Sequence, residues 1–508
     1  MRHSNSGWFL MEYETIAAVD LGSNSFRLQV GRVVEDQIYP LDSLKETVRL
    51  ASGLTPEKML DAASLKRGWE ALGRFGERLR GLNGGVVRAV ATNTLRVAKN
   101  ADEFLAGGEA ALGFPIEVIA GREEARLIYI GAIHSLPPAP HKRLVVDIGG
   151  GSTEFIIGKK SESMLMDSLY MGCVSYTLRY FPDGKVDKKR LREAQAAAAK
   201  EVELIAHAYM QQGWKEAVGS SGTARSIADL LEQNQLNPGN VTGITRTGLE
   251  KLATMLIRTG SVYAFNVPGA RADRLPVLPG GLAIMLAVFD ELDLTRMNYA
   301  DGALRLGVLY DLLGRFQQND MRDVTVKQFA RRYQVERKQA VRVRRTALEI
   351  FDRLTEGAAE EGAAQFLGWA ATLHEIGISV AHSSYHKHGA YILSYADMPG
   401  FSNKEQALLA TLVLGHRGKL ERLELPRKDA TWRLIFSLRL ATLLHRSRDD
   451  RDLPAYHVAV SGDDGFILEI PARWLAENPW TAAALEEGVQ FWKQVGLTFK
   501  VKAIGKGK

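Results

Sequence analysis

The sequence of 508 residues predicts an α/β protein: two similar lobes face each other across a cleft, followed by an all-helical segment and a small α+β domain. Three observations carry this prediction. A β-hairpin pattern with a Gly/Ser-rich turn occurs near the N-terminus and again at residues 144–158. From about Met321 to Asp452 the pattern is helical throughout. After Pro454, His457–Val460 and Gly465–Ile470 flank a short turn, as in a hairpin.

Composition sets the outer bounds. The chain is too long for one hydrophobic core. The single cysteine, Cys173, excludes an internal disulfide and fits a reducing, cytoplasmic setting. No apolar run reaches the roughly 20 residues of a membrane span; the best, Leu275–Phe289, is broken by Pro279, Gly280 and Gly281. Residues 1–15 read as a flexible tail rather than a secretory signal. The net charge of +6 permits a polyanionic partner without demanding one. Neither a nucleic acid nor a membrane is expected as a partner.

The first lobe, 16–140, opens on Ile16-Ala17-Ala18-Val19-Asp20-Leu21-Gly22-Ser23-Asn24-Ser25-Phe26. The second, 141–316, opens on Leu144-Val145-Val146-Asp147-Ile148-Gly149-Gly150-Gly151-Ser152-Thr153-Glu154-Phe155. Each is an apolar β-rich run, an Asp, a Gly/Ser turn and a second β-rich run. Glycines let a backbone approach a ligand closely, successive N–H groups can share one anion, and hydroxyls add donors. The candidate phosphate-binding residues are therefore Gly22, Ser23, Asn24, Ser25, Gly149, Gly150, Gly151, Ser152 and Thr153. Asp20 and Asp147 would repel a phosphate by themselves; they make sense with a Mg²⁺ between carboxylate and phosphate. One such turn is weak evidence, but two in the same order suggest two loops on facing lobes.

Between the hairpins, Gly121–His134 reads as a helix with Glu123 and Glu124 in its first turn. Acids there also complement the helix dipole, and helical spacing does not choose between them. Arg96 follows a β-like run and a Thr-Asn-Thr turn, where it can fork onto terminal phosphate oxygens; Arg49 is a second candidate. Later, Asp187–Gln212 is strongly helical and Gly302–Phe316 closes the lobe. Gly219-Ser220-Ser221-Gly222-Thr223 fails as a nucleophile elbow because Thr223 replaces the last glycine. It reads as a third anion turn, adding Ser221 and Gly222. Cys173 reads as a packing residue.

Gln317–Asp320 is the expected linker. Beyond it, Lys327–Arg345 carries eight cations against Glu336. By itself such a run is a solvated helix face. With the small C-terminal domain, 454–508, the division is 16–140, 141–316, 321–452 and 454–508.

These segments resemble the exopolyphosphatase and guanosine-pentaphosphate phosphohydrolase family of the actin-like superfamily, most nearly its long exopolyphosphatases. The resemblance rests on the Asp147–Glu154 segment, Ala91–Arg96, Gly121–Ile128, Met171–Ser175, Gly219–Thr223, Ala303–Tyr310 and His374–Gly377. It implies actin-like, ribonuclease H-like lobes and a Mg²⁺-dependent hydrolase that releases orthophosphate from the end of inorganic polyphosphate. Guanosine pentaphosphate is the alternative substrate, by the same chemistry. It implies Glu124 as the group activating water, and Glu154 as a metal-side carboxylate beside Asp147 and Asp20. A homodimer is the expected assembly. The helical segment looks like an HD-type bundle, although Glu375 follows His374 where such a site has Asp. Lys327, Arg342, Arg344, Arg345, His416, Arg417 and Arg446 are expected to form a track for the polyphosphate chain. An actin-like kinase, or a non-catalytic phosphate sensor, is the rival class; the carboxylates argue against both.

Overall fold

Five strands form the first sheet: β1 (Thr15–Leu21), β2 (Phe26–Val34), β3 (Gln37–Glu46), β4 (Val87–Ala91) and β5 (Ile116–Val118). Their order is β3-β2-β1-β4-β5. β1 pairs antiparallel with β2 on one side and parallel with β4 on the other. Its residues Ile16 to Val19 are all buried, as a central strand covered on both faces requires.

The second lobe repeats this plan. Its strands are β6 (Lys142–Ile148), β7 (Thr153–Lys159), β8 (Glu162–Leu169), β9 (Glu216–Ser220), β10 (Ile244–Thr245) and β11 (Arg296–Tyr299), in the order β10-β11-β9-β6-β7-β8. β6 sits between antiparallel β7 and parallel β9, as β1 sits between β2 and β4. In both sheets the Gly/Ser turn therefore lies at the C-terminal end of a strand with a parallel neighbour, the usual place for a ligand in such sheets. Each lobe has its own apolar core.

The helix Leu304–Phe316 departs from the expected division. It follows the second lobe in sequence, yet Leu304, Val308, Leu309 and Leu312 complete the first lobe's core. It crosses the helix Gly121–His134 at glycines, and a Cβ at Gly307 would lie 1.7 Å from the Leu127 carbonyl oxygen. The chain thus returns to brace the helix that carries Glu124.

These lobes form one compact unit ending at Asp320; residues from Met321 onward form another. This computed structural model describes residues 15–34, 37–239, 241–316, 320–357, 362–450, 452–462 and 465–505. Most of the expected tail at 1–15, and Gln317, Gln318 and Asn319 of the expected linker, lie outside the described residues.

In the C-terminal unit the basic run is two helices, Met321–Arg332 and Arg337–Thr355, not one. Gln334, between them, is left-handed at φ 53°. The sheet of β12 (His457–Val460), β13 (Gly465–Pro471) and β14 (Thr498–Ile504) has the order β12-β13-β14. It shares one core with the helices: Phe436 stacks on Phe466 at 4.1 Å and meets Trp492 at 5.6 Å. The boundary expected at 452/454 does not separate two cores. No described helix is long and apolar enough to cross a membrane.

Candidate active site

The two Gly/Ser turns meet. A Cβ at Gly150 would lie 3.0 Å from Ser23 Cβ, and one at Gly151 only 2.1 Å from Asn93 Nδ2. Glycine is needed because the other lobe's backbone and side chains occupy the space.

The way each turn is held explains how it can bind an anion. In the first, the carbonyl oxygens of Ser23 and Asn24 accept from the amides of Ala51 (3.0 Å) and Arg49 (2.8 Å). In the second, the carbonyls of Gly149 and Gly150 accept from the amides of Cys173 and Val174, both at 2.9 Å. The Gly149 amide closes the second turn on the Ser152 carbonyl at 2.9 Å; with the carbonyls tied off, the remaining turn amides are the donors available to an anion. Sequence reasoning did not see that Arg49 and Cys173 act through their backbones. Arg49 is left-handed at φ 52° and its side chain is exposed, so it is not placed as a phosphate-binding arginine.

Between the turns lies a cavity of about 280 Å³. It is lined by Asp20, Gly22, Ser23, Asn24, Ser25, Glu124, Asp147, Gly149, Gly150, Gly151, Ser152, Ser221 and Gly222. The structure therefore gathers most of the predicted residues from four separate segments. Ser221 begins the helix Ser221–Gln233 in a left-handed conformation (φ 72°), so this segment is a strand-to-helix junction rather than a free turn. Its Oγ donates to the Ile148 carbonyl at 3.1 Å, and Thr223 Oγ1 to the same oxygen at 2.8 Å.

Glu123 and Glu124 are separated by their partners. Glu124 faces the cavity and accepts from Arg96 Nη1 at 2.6 Å. Glu123 points away into a buried network: Arg126 donates to it at 2.7 and 2.8 Å and to Asp311 at 2.5 Å, and Arg88 donates to Asp311 at 2.7 Å. Arg96 also donates to the Ile119 carbonyl at 3.0 Å and does not line the cavity. The structure places it against Glu124 and the Ile119 carbonyl rather than on the cavity surface where a phosphate would lie. Glu154 and Thr153 lie just behind the cavity wall. Glu154 accepts from Ser168 Oγ at 2.8 Å, whereas the Thr153 hydroxyl is spent on the Met171 carbonyl at 2.6 Å. Thr153 is thus not placed to offer a phosphate its hydroxyl.

The cavity carries charges of both signs. Burial raises the Asp20 carboxyl to about 6, against the pull of Arg305 and Arg27, and Asp147 to about 7, where hydrogen bonds from Ser220 and Ser221 oppose it and the Glu124 and Asp20 charges add to it. Glu154 is pushed well up by burial and by Glu124 and Asp147. Cations that the sequence reading did not single out line the same cavity: Arg27, Lys45, Arg225, Arg271, Arg274 and Arg305, with Arg305 and Arg27 near enough to Asp20 to lower its carboxyl against burial. Burial and the nearby Arg305, Arg274 and Arg271 charges lower Arg27 to about 10, against the pull of Asp20. No single motif joins these arginines in sequence; the signals available were the closeness of Arg27 to the first turn and the place of Arg305 in the Ala303–Tyr310 segment that carries the resemblance. The crowded cations suit a phosphate chain, and the crowded carboxylates among them suit a divalent cation. Among the described residues, no three His, Cys, Asp or Glu side chains converge enough to hold a metal unaided. Such a set fits an ion that keeps waters and phosphate oxygens in its shell, the habit of Mg²⁺.

The expected polyphosphate track is only partly exposed. Lys327, Arg344, Arg345, Arg417 and Arg446 are at the surface. Arg342 is buried and bonded to Asp450 Oδ1 (2.5 Å) and the Arg448 carbonyl (2.9 Å), and His416 is 2% exposed. Both are withdrawn from the surface, Arg342 by these bonds and His416 by its packing. The imidazole of His416 bonds the Val413 carbonyl through Nδ1 at 2.5 Å. Glu375, beside His374, is held by Arg448.

Residues 29–316 match the family model described as Ppx/GppA phosphatase family, and residues 321–489 match Ppx/GppA phosphatase, domain III. The chain is 37% identical over 487 residues to a guanosine-5'-triphosphate,3'-diphosphate pyrophosphatase of Aeromonas hydrophila, covering 94% of this chain and 97% of that one. A protein of the same name from Aeromonas salmonicida is 36% identical over the same shares. Among solved structures, an exopolyphosphatase from Cytophaga hutchinsonii superposes with a TM-score of 0.53 at 21% identity, covering 60% of this chain and 98% of that one. That likeness concerns the fold.

Proposed function

The chain belongs to the Ppx/GppA phosphatase family and is a phosphoanhydride hydrolase, and from that premise we propose that it removes the terminal 5′ phosphate of guanosine pentaphosphate. The products are guanosine tetraphosphate and orthophosphate. The observation that carries the chemistry is the facing pair of Gly/Ser turns with Glu124 between them. The choice of substrate is supported by the curated relatives, which match nearly the whole length of this chain. Hydrolysis of inorganic polyphosphate, the reading the sequence by itself favours, becomes the second. The fold likeness to an exopolyphosphatase keeps it in view.

In this mechanism the amides of both turns hold the terminal phosphate. Arg27, Arg274 and Arg305 neutralise the phosphates behind it. Glu124, fixed by Arg96, accepts a proton from a water as its oxygen attacks the terminal phosphorus. The bond to the bridging oxygen breaks, and the electron pair leaves with the shortened 5′ diphosphate. Asp147, Glu154 and Asp20 would hold Mg²⁺, which when bound spreads the charge of the phosphate oxygens. The C-terminal helices, with Glu375 in place of Asp after His374, are read as a degenerate HD-like bundle.

Phosphate release from guanosine pentaphosphate and from long-chain polyphosphate, compared at equal concentrations of chain ends, tests the proposal. We expect kcat/KM to favour the nucleotide by about tenfold or more. The reverse preference would restore the polyphosphate reading.

A further inference from the structure

A second cavity, of about 290 Å³, lies wholly within the C-terminal unit. It opens between the helices Tyr385–Tyr395, Thr431–Leu444 and Pro479–Gln494, and residues of β14 reach its floor. No part of the proposed mechanism uses it.

Its wall is aromatic, with Tyr385, Phe491 and Trp492 among the lining side chains. A gap between apolar side chains could be a packing flaw, but this one is also charged. Arg439 backs the wall. It donates to the carbonyls of Gly415 (3.1 Å) and Gly418 (2.8 Å), and its guanidinium sits 5.2 Å from the Phe491 ring centre. Arg417 and Arg446 open onto the cavity from exposed positions. Arg417 lies 5.2 Å over the Tyr385 ring, and neither arginine is ion-paired to a carboxylate among the described residues. The one acid on the lining is Glu487, which is exposed and whose charge acts on Arg439.

Each feature selects a part of one ligand. Aromatic faces stack on a flat ring. Two arginines without carboxylate partners bind phosphate. A carboxylate accepts from two adjacent N–H groups, which guanine offers at N1 and its 2-amino group. Adenine sets an acceptor beside its amino group and would repel that carboxylate. A volume at the small end of ligand sites suits a base, with its phosphates outside at the rim.

We propose that this cavity is a second, non-catalytic site for a guanine nucleotide. The base stacks against Phe491, Glu487 reads its donor edge, and Arg417 and Arg446 hold its phosphates. The site stands apart from the cleft, so it does not depend on which substrate the cleft hydrolyses.

The test is calorimetric titration of the full chain with GDP, ADP and inorganic pyrophosphate, with tryptophan emission followed in parallel. GDP should bind more tightly than ADP and alter emission, and the emission change should be lost in Trp492→Phe. The double variant Arg417→Ala, Arg446→Ala should weaken this GDP binding about tenfold. Glu487→Gln should abolish the preference for GDP over ADP without affecting pyrophosphate. These three residues are exposed, so their replacement should leave the fold intact. Unchanged GDP stoichiometry and affinity in both variants would overturn the proposal. So would equal binding of GDP, ADP and pyrophosphate, which marks a plain anion patch.

Discussion

Glu123 and Glu124 are adjacent in one helical turn, yet they face opposite environments. Glu124→Gln keeps its shape and its contact with Arg96 but cannot take a proton. Its kcat should fall by about 10²-fold or more with KM nearly unchanged, as steady-state phosphate release would show. Normal turnover in that variant would remove Glu124 from the mechanism. Glu123→Gln is not the neutral control its sequence position suggests. It withdraws a charge from buried Arg126, and should lower unfolding free energy by roughly 1–3 kcal/mol in denaturant titration, with kcat less affected. Asp20 and Asp147 make a second residue-scale prediction. Their raised pKa values, about 6 and about 7, mean that the fold holds protons the unfolded chain has released. The stability tied to those protons is full below pH 4 and is lost as pH rises through 6 to 7. Without divalent metal the first unit should therefore weaken toward pH 8. Mg²⁺ should raise Tm more at pH 8 than at pH 5.5, where protons compete for the same oxygens. Asp147→Asn should stabilise the metal-free protein and blunt the Mg²⁺ effect, and a chelator should abolish turnover. Equal Mg²⁺ shifts at both pH values would contradict this.

At the scale of elements, the two turns work as a pair because their glycines touch the opposite lobe. Gly151→Ala would drive a Cβ into the Asn93 amide. That should cost activity by at least about tenfold, since reacting groups held across the lobes tolerate little displacement; a fully active Gly151→Ala enzyme would show that the turns need not meet. The C-terminal helices make a different prediction. His374 and His386 are lowered to about 4, and His416 is lowered well below its ordinary value, chiefly by burial. These rings are neutral in the fold, while the unfolded chain takes up protons near pH 6.5. Stability of this unit is therefore full above pH 6.5 and is lost as pH falls toward 4. Urea titrations of the full chain at pH 7.5 and 5 should show its transition shifted to lower urea at pH 5, with the shift reduced in His374→Gln. The basic run teaches the same lesson about elements. Its break at Gln334 and the burial of Arg342 leave Arg344 and Arg345 as the residues to reverse when testing a track for long chains.

At the scale of the whole molecule, each unit carries its own core. Residues 29–316 match a family model of their own, and they lie within the compact unit that ends at Asp320. Residues 1–320 alone should therefore fold and release phosphate from guanosine pentaphosphate. Any loss should be confined to long polyphosphate, where remote phosphates need cations beyond the cleft. Equal losses on both substrates in the truncated protein would assign the C-terminal unit to stability instead.

The sequence by itself determined the two lobes, their hairpins and the helix Gly121–His134, because these follow from local rules: β-rich runs, glycine turns and helical periodicity. It also singled out Asp20 and Asp147, which the structure places on the lining of the cavity, since an acid before a Gly/Ser turn needs an explanation. Tertiary structure alone decided between Glu123 and Glu124, because orientation depends on Arg96 and Arg126, which approach from different elements. It alone assembled Arg27, Arg271, Arg274 and Arg305, whose charges are scattered in sequence and gather on one cavity only when the lobes face each other. It also withdrew Thr153, Arg342 and His416 from the surface, because burial is a property of what packs around a residue and not of the residue.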